Sequence, residues 1–513
     1  MGSYPFPIFN RDLSLSFDIL GSPVLVAYPG GVYFALSGKG TLPNWQQPIS
    51  SYSTFYSIFV GAIDTIGNLL WINRFPASLQ TEGDCYSPSI ALGNPGELYL
   101  AFVTEGAIPG YSNGSTFPPS PGSNPPYGTA DVVLSRINTL DQTVVWAIQG
   151  AALNGPSSQT VPQVAVDTTY GWVYIAYQST GNITSYQATG KTNVILSCYN
   201  TITHEQLWIN GHQSSSGQED YINCTDYNKN PTVATDNAGN VYIAYEVTGQ
   251  TPYGAAVSEQ QIEVVKFKTT NINTPLNPVY VKEYQWTLSS SGANVFVTKG
   301  KSSQPQLSYW NNVLYLSFLT SGVIPGGTHS PSGNDIVLAA IRTNRVLNWA
   351  IQGITNVCPQ KYYDVYSVNS CCDEFGIPYI VAVVKKFGSR DSVLVWKLNP
   401  ENGVSTLKYT TPNGLSNYSA YGFGLTDGKN AVWQSKSYQF TTIGITAIQG
   451  KFYLGYTTLD ALPNSVQTIT PKHFVGISGF MPRIYAENTS AYNYITAEHG
   501  LCRCNDNQCD CFI

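Results

Sequence analysis

Residues 231–245 read PTVATDNAGNVYIAY. Apolar and small polar side chains alternate as far as Thr235, Asp-Asn-Ala-Gly interrupts them, and alternation resumes through Tyr245. Alternation on both sides of an Asn/Gly turn is the signature of a β-hairpin. The pattern returns as PSIALGNPGELYLAF (88–102), PQVAVDTTYGWVYIAY (162–177) and PQLSYWNNVLYLSF (305–318). Weaker copies are PVLVAYPGGVYFAL (23–36), CCDEFGIPYIVAV (371–383) and ITAIQGKFYLGY (445–456). One tyrosine of the second run serves as a ruler: Tyr33, Tyr99, Tyr174, Tyr242, Tyr315, Tyr379 and Tyr453, at a mean step of 70 residues.

Each hairpin is followed by a third apolar run, from SIFVGAI (57–63) and DVVLSRI (131–137) to HFVGISGF (473–480). A fourth follows in most units: LLWIN at Trp71, VVWAIQG at Trp146, QLWIN at Trp208, YQWTL at Trp286, LNWAIQG at Trp349 and TLKYT at Tyr409. Four strands repeated seven times predict an all-β chain, a seven-bladed β-propeller of four-stranded antiparallel blades. The seventh unit lacks a clear fourth strand, and the N-terminus has a spare one at Leu13–Asp18. That strand is expected to complete the last blade and close the ring, removing two sheet edges; Ile484–Glu487 is the alternative. The domain reading is an N-terminal segment with the closing strand (1–22), the propeller (23–487) and a Cys-rich tail (488–513).

Composition agrees. Of 513 residues, 42% are apolar and only 11% charged, against roughly 25% charged in ordinary soluble domains. Gly 46, Pro 31 and Tyr 36 suit many short strands joined by turns. A net charge of −6 with 25 Lys and Arg argues against nucleic-acid binding, which needs a basic surface. No run of about 18 apolar residues marks a membrane span, and the first residues do not read as a signal peptide.

AVDTTYGWVY (165–174), ATDNAGNVY (234–242), DVVLSRINTLDQTVVWAIQG (131–150) and DSVLVWKLNPENG (391–403) resemble the SBBP repeats, a seven-bladed β-propeller family. The likeness covers most of residues 20–480, with units one, six and seven degenerate. It implies a propeller of the kind carried by cell-surface and secreted proteins, and no single activity. The Asn-, Tyr- and Ile-rich composition resembles that of proteins of large DNA viruses of protists, a resemblance of composition and not of motif.

The connections between second and third strands depart most from the repeat. Unit two carries EGAIPGYSNGSTFPPSPGSNPPYGTA (105–130) and unit five SGVIPGGTHSPSGN (321–334), both containing Gly-x-Ile-Pro-Gly. They read either as a partner-binding surface or as tolerated insertions. Asp84, Asp220 and Asp364 recur before first strands. They are expected opposite the long insertions or at the mouth of the central channel. They suit a carboxylate ring for Ca²⁺ or a polyhydroxyl glycan ligand, or simple turn capping, which is preferred. Asp131, Asp335 and Asp391 at third-strand starts are read as capping too.

Catalytic motifs are lacking. The five histidines (His204, His212, His329, His473 and His499) have no metal-binding spacing, and no GxSxG elbow occurs. ATDNAGNVY resembles the Asp-box turn of sialidase-type propellers, where the turn is structural. Eight arginines in no evident cluster do not suggest a carboxylate grip. A glycosidase would need two facing carboxylates.

Ten cysteines are unevenly spread. Cys502, Cys504, Cys509 and Cys511 form a CxC-x4-CxC tail. Disulfides within the tail or between chains are one reading, a four-thiolate zinc site another. Cys358, Cys371, Cys372, Cys198 and Cys224 are further disulfide candidates; Cys85 stands before a first strand.

The expectation is therefore a non-enzymatic structural or interaction protein without cofactor. It would be a building block of a surface or coat assembly, in a virion or on an extracellular surface, packing with copies of itself or other coat proteins. A carbohydrate- or protein-binding adhesin-like module is the alternative, and a glycoside-active propeller enzyme the third reading.

Overall fold

The computed structural model describes residues 5–12, 18–39, 55–75, 83–106, 108, 130–150, 153–155, 157–183, 191–210, 226–250, 256–270, 279–288, 300–324, 334–344, 346–353, 363–386, 391–410, 444–448, 451–458, 474–482, 494–497, 500–505 and 508–512. Among them every regular element is a strand, and no helix is long and apolar enough to cross a membrane. Four-stranded antiparallel blades form a propeller arrangement. Six blades take four consecutive strands each: blade 1 (18–75), blade 2 (85–148), blade 3 (159–209), blade 4 (227–288), blade 5 (302–352) and blade 6 (363–410).

The ruler predicts seven blades of one pattern, and the structure has six. The seventh copy enters a composite sheet in which Pro5–Asp12 pairs with Phe474–Pro482, followed by Lys451–Thr458 and Gly444–Ile448. An N-terminal strand does complete the last sheet, but it is Pro5–Asp12. Residues 13–17 lie outside the described residues, and Asp18, expected to end the closing strand, instead begins the first strand of blade 1. Ile484–Glu487 also lies outside them.

The core is a series of shared interfaces. Val103 and Leu134 of blade 2 pack with Val173 and Ile195 of blade 3. Trp172 and Leu196 of blade 3 pack with Val241 and Phe267 of blade 4. Tyr379 and Val381 of blade 6 meet Ile445 and Phe452 of the composite sheet, and Tyr453 of that sheet meets Val32 and Phe34 of blade 1. Each blade is apolar on both faces because both are buried, which explains the near-continuous apolar third strands.

Most ruler tyrosines are fully buried, and several of their hydroxyls donate to polar partners. Tyr242 donates to Asp236 (3.3 Å), Tyr379 to Asp373 (3.5 Å) and Tyr315 to the Gly376 carbonyl of the next blade (2.8 Å). Tryptophans of fourth strands clasp the neighbouring blade at the outer edge. Trp146 Nε1 donates to the Thr201 carbonyl at 3.3 Å and Trp349 Nε1 to the Pro400 carbonyl at 2.8 Å.

The first strands of blades 2 to 5 each carry a bulge immediately before proline. The bulged residues Ser87, Val161, Asn230 and Gln304 have φ between 49° and 58°. A proline has no N–H for the ladder, so it is tolerated where pairing is already interrupted.

Candidate interaction surfaces

In an antiparallel blade, strand 1 starts, strand 2 ends, strand 3 starts and strand 4 ends at the same edge. All connections between blades and all strand 2–3 loops therefore share one face, the loop face. All strand 1–2 and 3–4 turns share the other, the turn face.

For Asp84 this corrects one of the two expected positions, the face opposite the long insertions. Asp84 lies on the loop face beside the long insertion of blade 2: its carbonyl accepts from Glu105 N at 2.9 Å. Its Oδ1 accepts from Tyr56 N at 2.9 Å, joining blade 2 to blade 1. In the backbone register of blade 6, position 364 stands opposite position 385, as position 391 does on the other side. Asp220 lies outside the described residues. The structure does not assemble the three acids into one described site.

The loop face has a repeated anchor. In blade 2, Gln149 Oε1 accepts from Ile108 N (2.8 Å), while its Nε2 donates to the Gly106 carbonyl (2.9 Å) and Asp131 Oδ2 (3.0 Å). In blade 5, Gln352 accepts from Ile324 N (2.7 Å) and donates to the Gly322 carbonyl (2.7 Å) and Asp335 Oδ2 (3.3 Å). WAIQG and Gly-x-Ile-Pro-Gly recur together because the glutamine of one holds the backbone of the other. Asp131 and Asp335 belong to this clasp rather than to a cap. Gln352→Ala leaves the Ile324 N–H and Gly322 carbonyl without their buried partner, at about 1–3 kcal/mol for each such group. The Ile324 amide is expected to exchange on the order of 100-fold faster by hydrogen–deuterium exchange. Unchanged protection would show that the clasp does not hold the loop base.

Two buried carboxylates of blade 4 bear on the enzymatic reading. Glu246 Oε1 accepts from Asn230 Nδ2 (2.8 Å) and Gln304 N (2.7 Å), tying together the bulges of blades 4 and 5, and Oε2 accepts from Gln260 Nε2 (2.5 Å). Burial pushes its pKa up, partly offset by the Asn230 and Gln304 hydrogen bonds. Glu263 accepts from the Tyr245 hydroxyl at 2.5 Å and stands opposite Tyr245 in the register. Tyr245 and Glu246 are consecutive in a strand, so the two glutamates occupy opposite faces of the blade. They do not form the facing pair that glycoside hydrolysis needs. No group of three or more His, Cys, Asp or Glu able to hold a metal occurs among the described residues.

The disulfide candidates divide. Cys198 is a free, fully buried thiol packed beside Trp172, Trp208 and Val241, a core residue rather than a bridge partner. Cys371 and Cys372 are also free. As consecutive strand residues they point to opposite faces, Cys371 toward the composite sheet and Cys372 toward blade 5. Burial holds all three thiols above the usual range. Cys85 is buried between blades 1 and 2, its thiol donating to the Thr104 hydroxyl at 3.5 Å. Cys224 and Cys358 lie outside the described residues. Cys502, Cys504, Cys509 and Cys511 fall in a three-stranded sheet formed by Tyr494–Ala497, Gly500–Asn505 and Gln508–Phe512.

The turn face presents a feature that the repeat analysis overlooked. In five blades an Asp or Asn in the strand 3–4 turn accepts the N–H of the residue two positions on, and that residue is an exposed aliphatic. The pairs are Asp64–Ile66 (2.9 Å), Asn138–Leu140 (3.0 Å), Asn200–Ile202 (2.8 Å), Asn344–Val346 (3.3 Å) and Asn402–Val404 (3.0 Å). The carboxylate or amide oxygen fixes the turn locally, which leaves the aliphatic at the tip. Ile66 is 66% exposed, Leu140 83% and Ile202 76%. Leu70, Val145 and Leu347 on the adjoining outer strands are exposed as well. The signal was present in DTIGN (64–68), NTLDQ (138–142) and NTITH (200–204).

No family model matches this chain, and no curated protein matches it. Among solved structures, a protein of unknown function from Dyadobacter fermentans is similar at TM-score 0.39 and 10% identity, over 79% of this chain and 96% of the other. A PL25 ulvan lyase is similar at TM-score 0.36 and 10% identity, over 74% of this chain and 82% of the other. A Hadza microbial sialidase gives TM-score 0.36 and 9% identity, over 93% and 96%.

Proposed function

We propose that the chain is a non-enzymatic interaction protein, a propeller that packs with other copies of itself as a building block of a surface or coat assembly. In this reading the composite sheet acts as the seventh blade and closes the ring, which is supported by its packing against both blade 6 and blade 1. The observation that carries the reading is the arc of turn-tip aliphatics. Isolated surface aliphatics are ordinary. The same turn position, two residues past the end of strand 3, is filled by Ile66, Leu140 and Ile202 in three successive blades, and exposed Val346 and Val404 stand just before strand 4 in two others, which together make a patterned apolar surface.

Burying one such side chain contributes about 1.5–3 kcal/mol, so three on each copy are sufficient to govern self-association. The triple variant Ile66→Ser, Leu140→Ser, Ile202→Ser changes only exposed turn tips and is expected to leave folding within about 0.5 kcal/mol per site. In sedimentation velocity across a concentration series, the wild type is expected to associate. The variant is expected to remain at 55.8 kDa, with association weakened by about 10³-fold or more. A wild-type chain that stays monomeric, or a variant that associates equally well, overturns the proposal.

The clasped loops favour a second reading, a binding module for a glycan or another protein on the loop face. Under that reading Gln352→Ala weakens ligand capture while the triple turn-face variant does not.

A further inference from the structure

The backbone register of the C-terminal sheet pairs Cys502 with Cys511 and Cys504 with Cys509, while Asn505 pairs with Gln508. Only Asp506 and Asn507 lie between the last pair. When two residues connect antiparallel strands, the residues flanking them form a hydrogen-bonded pair. Hydrogen-bonded and non-hydrogen-bonded pairs alternate along the ladder. Asn505–Gln508 is thus hydrogen-bonded, Cys504–Cys509 is not, Arg503–Asp510 is, and Cys502–Cys511 is not. Both cysteine pairs therefore occupy the narrow rungs, where facing Cα atoms are about 4.5 Å apart. That spacing falls within the ~4.4–6.8 Å that a disulfide spans. The wide rungs, at about 5.5 Å, go to Arg503–Asp510.

We infer that the tail is a disulfide ladder within one chain, with Cys502 bonded to Cys511 and Cys504 to Cys509. Period two places all four positions on one face of the hairpin, and the two rungs run parallel. A tetrahedral zinc site requires its two ligand pairs to cross near right angles, which parallel rungs disfavour. The same facing positions make partners within the hairpin closer than any cysteine of another chain.

Formation of each rung removes two protons and two electrons from two thiols. One thiolate attacks the sulfur of an external disulfide such as glutathione disulfide, releasing one thiol. The partner thiolate then attacks the mixed disulfide, forms the rung and releases the second thiol. Two rungs consume two such oxidant molecules.

The test uses the full chain purified with its thiols reduced, its zinc content measured, then oxidised with glutathione disulfide and capped with N-ethylmaleimide. Trypsin cuts after Arg483 and Arg503, and an endoprotease specific for the N-terminal side of aspartate cuts before Asp506 and Asp510. Each tail cysteine then lies on its own peptide. Mass spectrometry is expected to find 484–503 joined to 510–513, and 504–505 joined to 506–509. In Cys502→Ser only the second pair is expected. Links between Cys502 and Cys504, links to a second chain, four capped thiols, or one zinc per chain released by thiol alkylation would each overturn the inference.

Discussion

Trp146→Ala is expected to lower stability by about 3–5 kcal/mol, the range for deleting a large buried aromatic. The indole is 1% exposed at the seam between blades 2 and 3. It lies 6.0 Å from Tyr99, edge to face, and 4.7 Å from His204, and donates Nε1 to the Thr201 carbonyl. Arg136 Nη1 donates to the same carbonyl at 3.2 Å and pairs with Glu97 at 2.9 Å. Alanine would thus open a cavity at a seam where one side chain joins two blades. Trp146→Phe keeps most of the apolar volume and loses one hydrogen bond, at about 1 kcal/mol. Urea denaturation of the two variants should separate them by about 2 kcal/mol or more. Equal losses would mean that the hydrogen bond, not the packing, holds the seam.

The second large effect has the opposite sign. Burial pushes the Asp131 carboxyl up to about 6, only partly countered by the Gln149 hydrogen bond. Its Oδ1 has no hydrogen-bond partner among the described residues. In the unfolded chain the group titrates near 3.9, so folding favours the protonated form. The associated stability is complete below about pH 4 and is lost as pH rises through 6. At pH 7.5 the cost approaches about 3 kcal/mol. Asp131→Asn keeps an oxygen for Gln149 Nε2 and removes the charge. The variant is expected to be about 3 kcal/mol more stable than wild type at pH 7.5 and nearly equal to it at pH 4. Denaturation midpoints at the two pH values decide the matter. A pH-independent gain, or a loss at pH 7.5, would show that the ionised carboxylate is needed in the clasp.

The repeated hairpins were legible because both faces of every blade are buried, which forces strand periodicity and leaves turn residues as punctuation. The ruler tyrosines and fourth-strand tryptophans were legible for the same reason: they sit in equivalent seams. The N-terminal strand that completes the last sheet was misplaced because PFPIFNRD carries two prolines, which count against a strand in sequence, whereas an edge position tolerates them. LSLSF looked better by propensity and lies just before the first strand of blade 1. Placing Asp84 opposite the long insertions failed because its spacing was read without following chain direction through the blade. The turn-tip arc escaped notice because Ile66, Leu140 and Ile202 follow an Asx residue in a turn, where an aliphatic contributes nothing to strand periodicity. The Gln149 and Gln352 clasps were half visible. The two motifs recurred in the same units, but nothing in a linear reading joined them.

The pairing of Pro5–Asp12 with Phe474–Pro482 imposes a schedule on synthesis. At about 5–20 residues per second, the ribosome delivers the second strand of that pair roughly 20 to 90 s after the first. During that interval the early strand has no partner, and the outer face of blade 1 lacks the sheet that Tyr453 brings to it. Blades 2 to 6 can assemble on one another as they emerge, since their strands are consecutive. The two ends of the molecule cannot. A ribosome stalled before codon 474 would therefore display an open, aggregation-prone arc, and chaperone occupancy of nascent chains should persist until the last sheet is made.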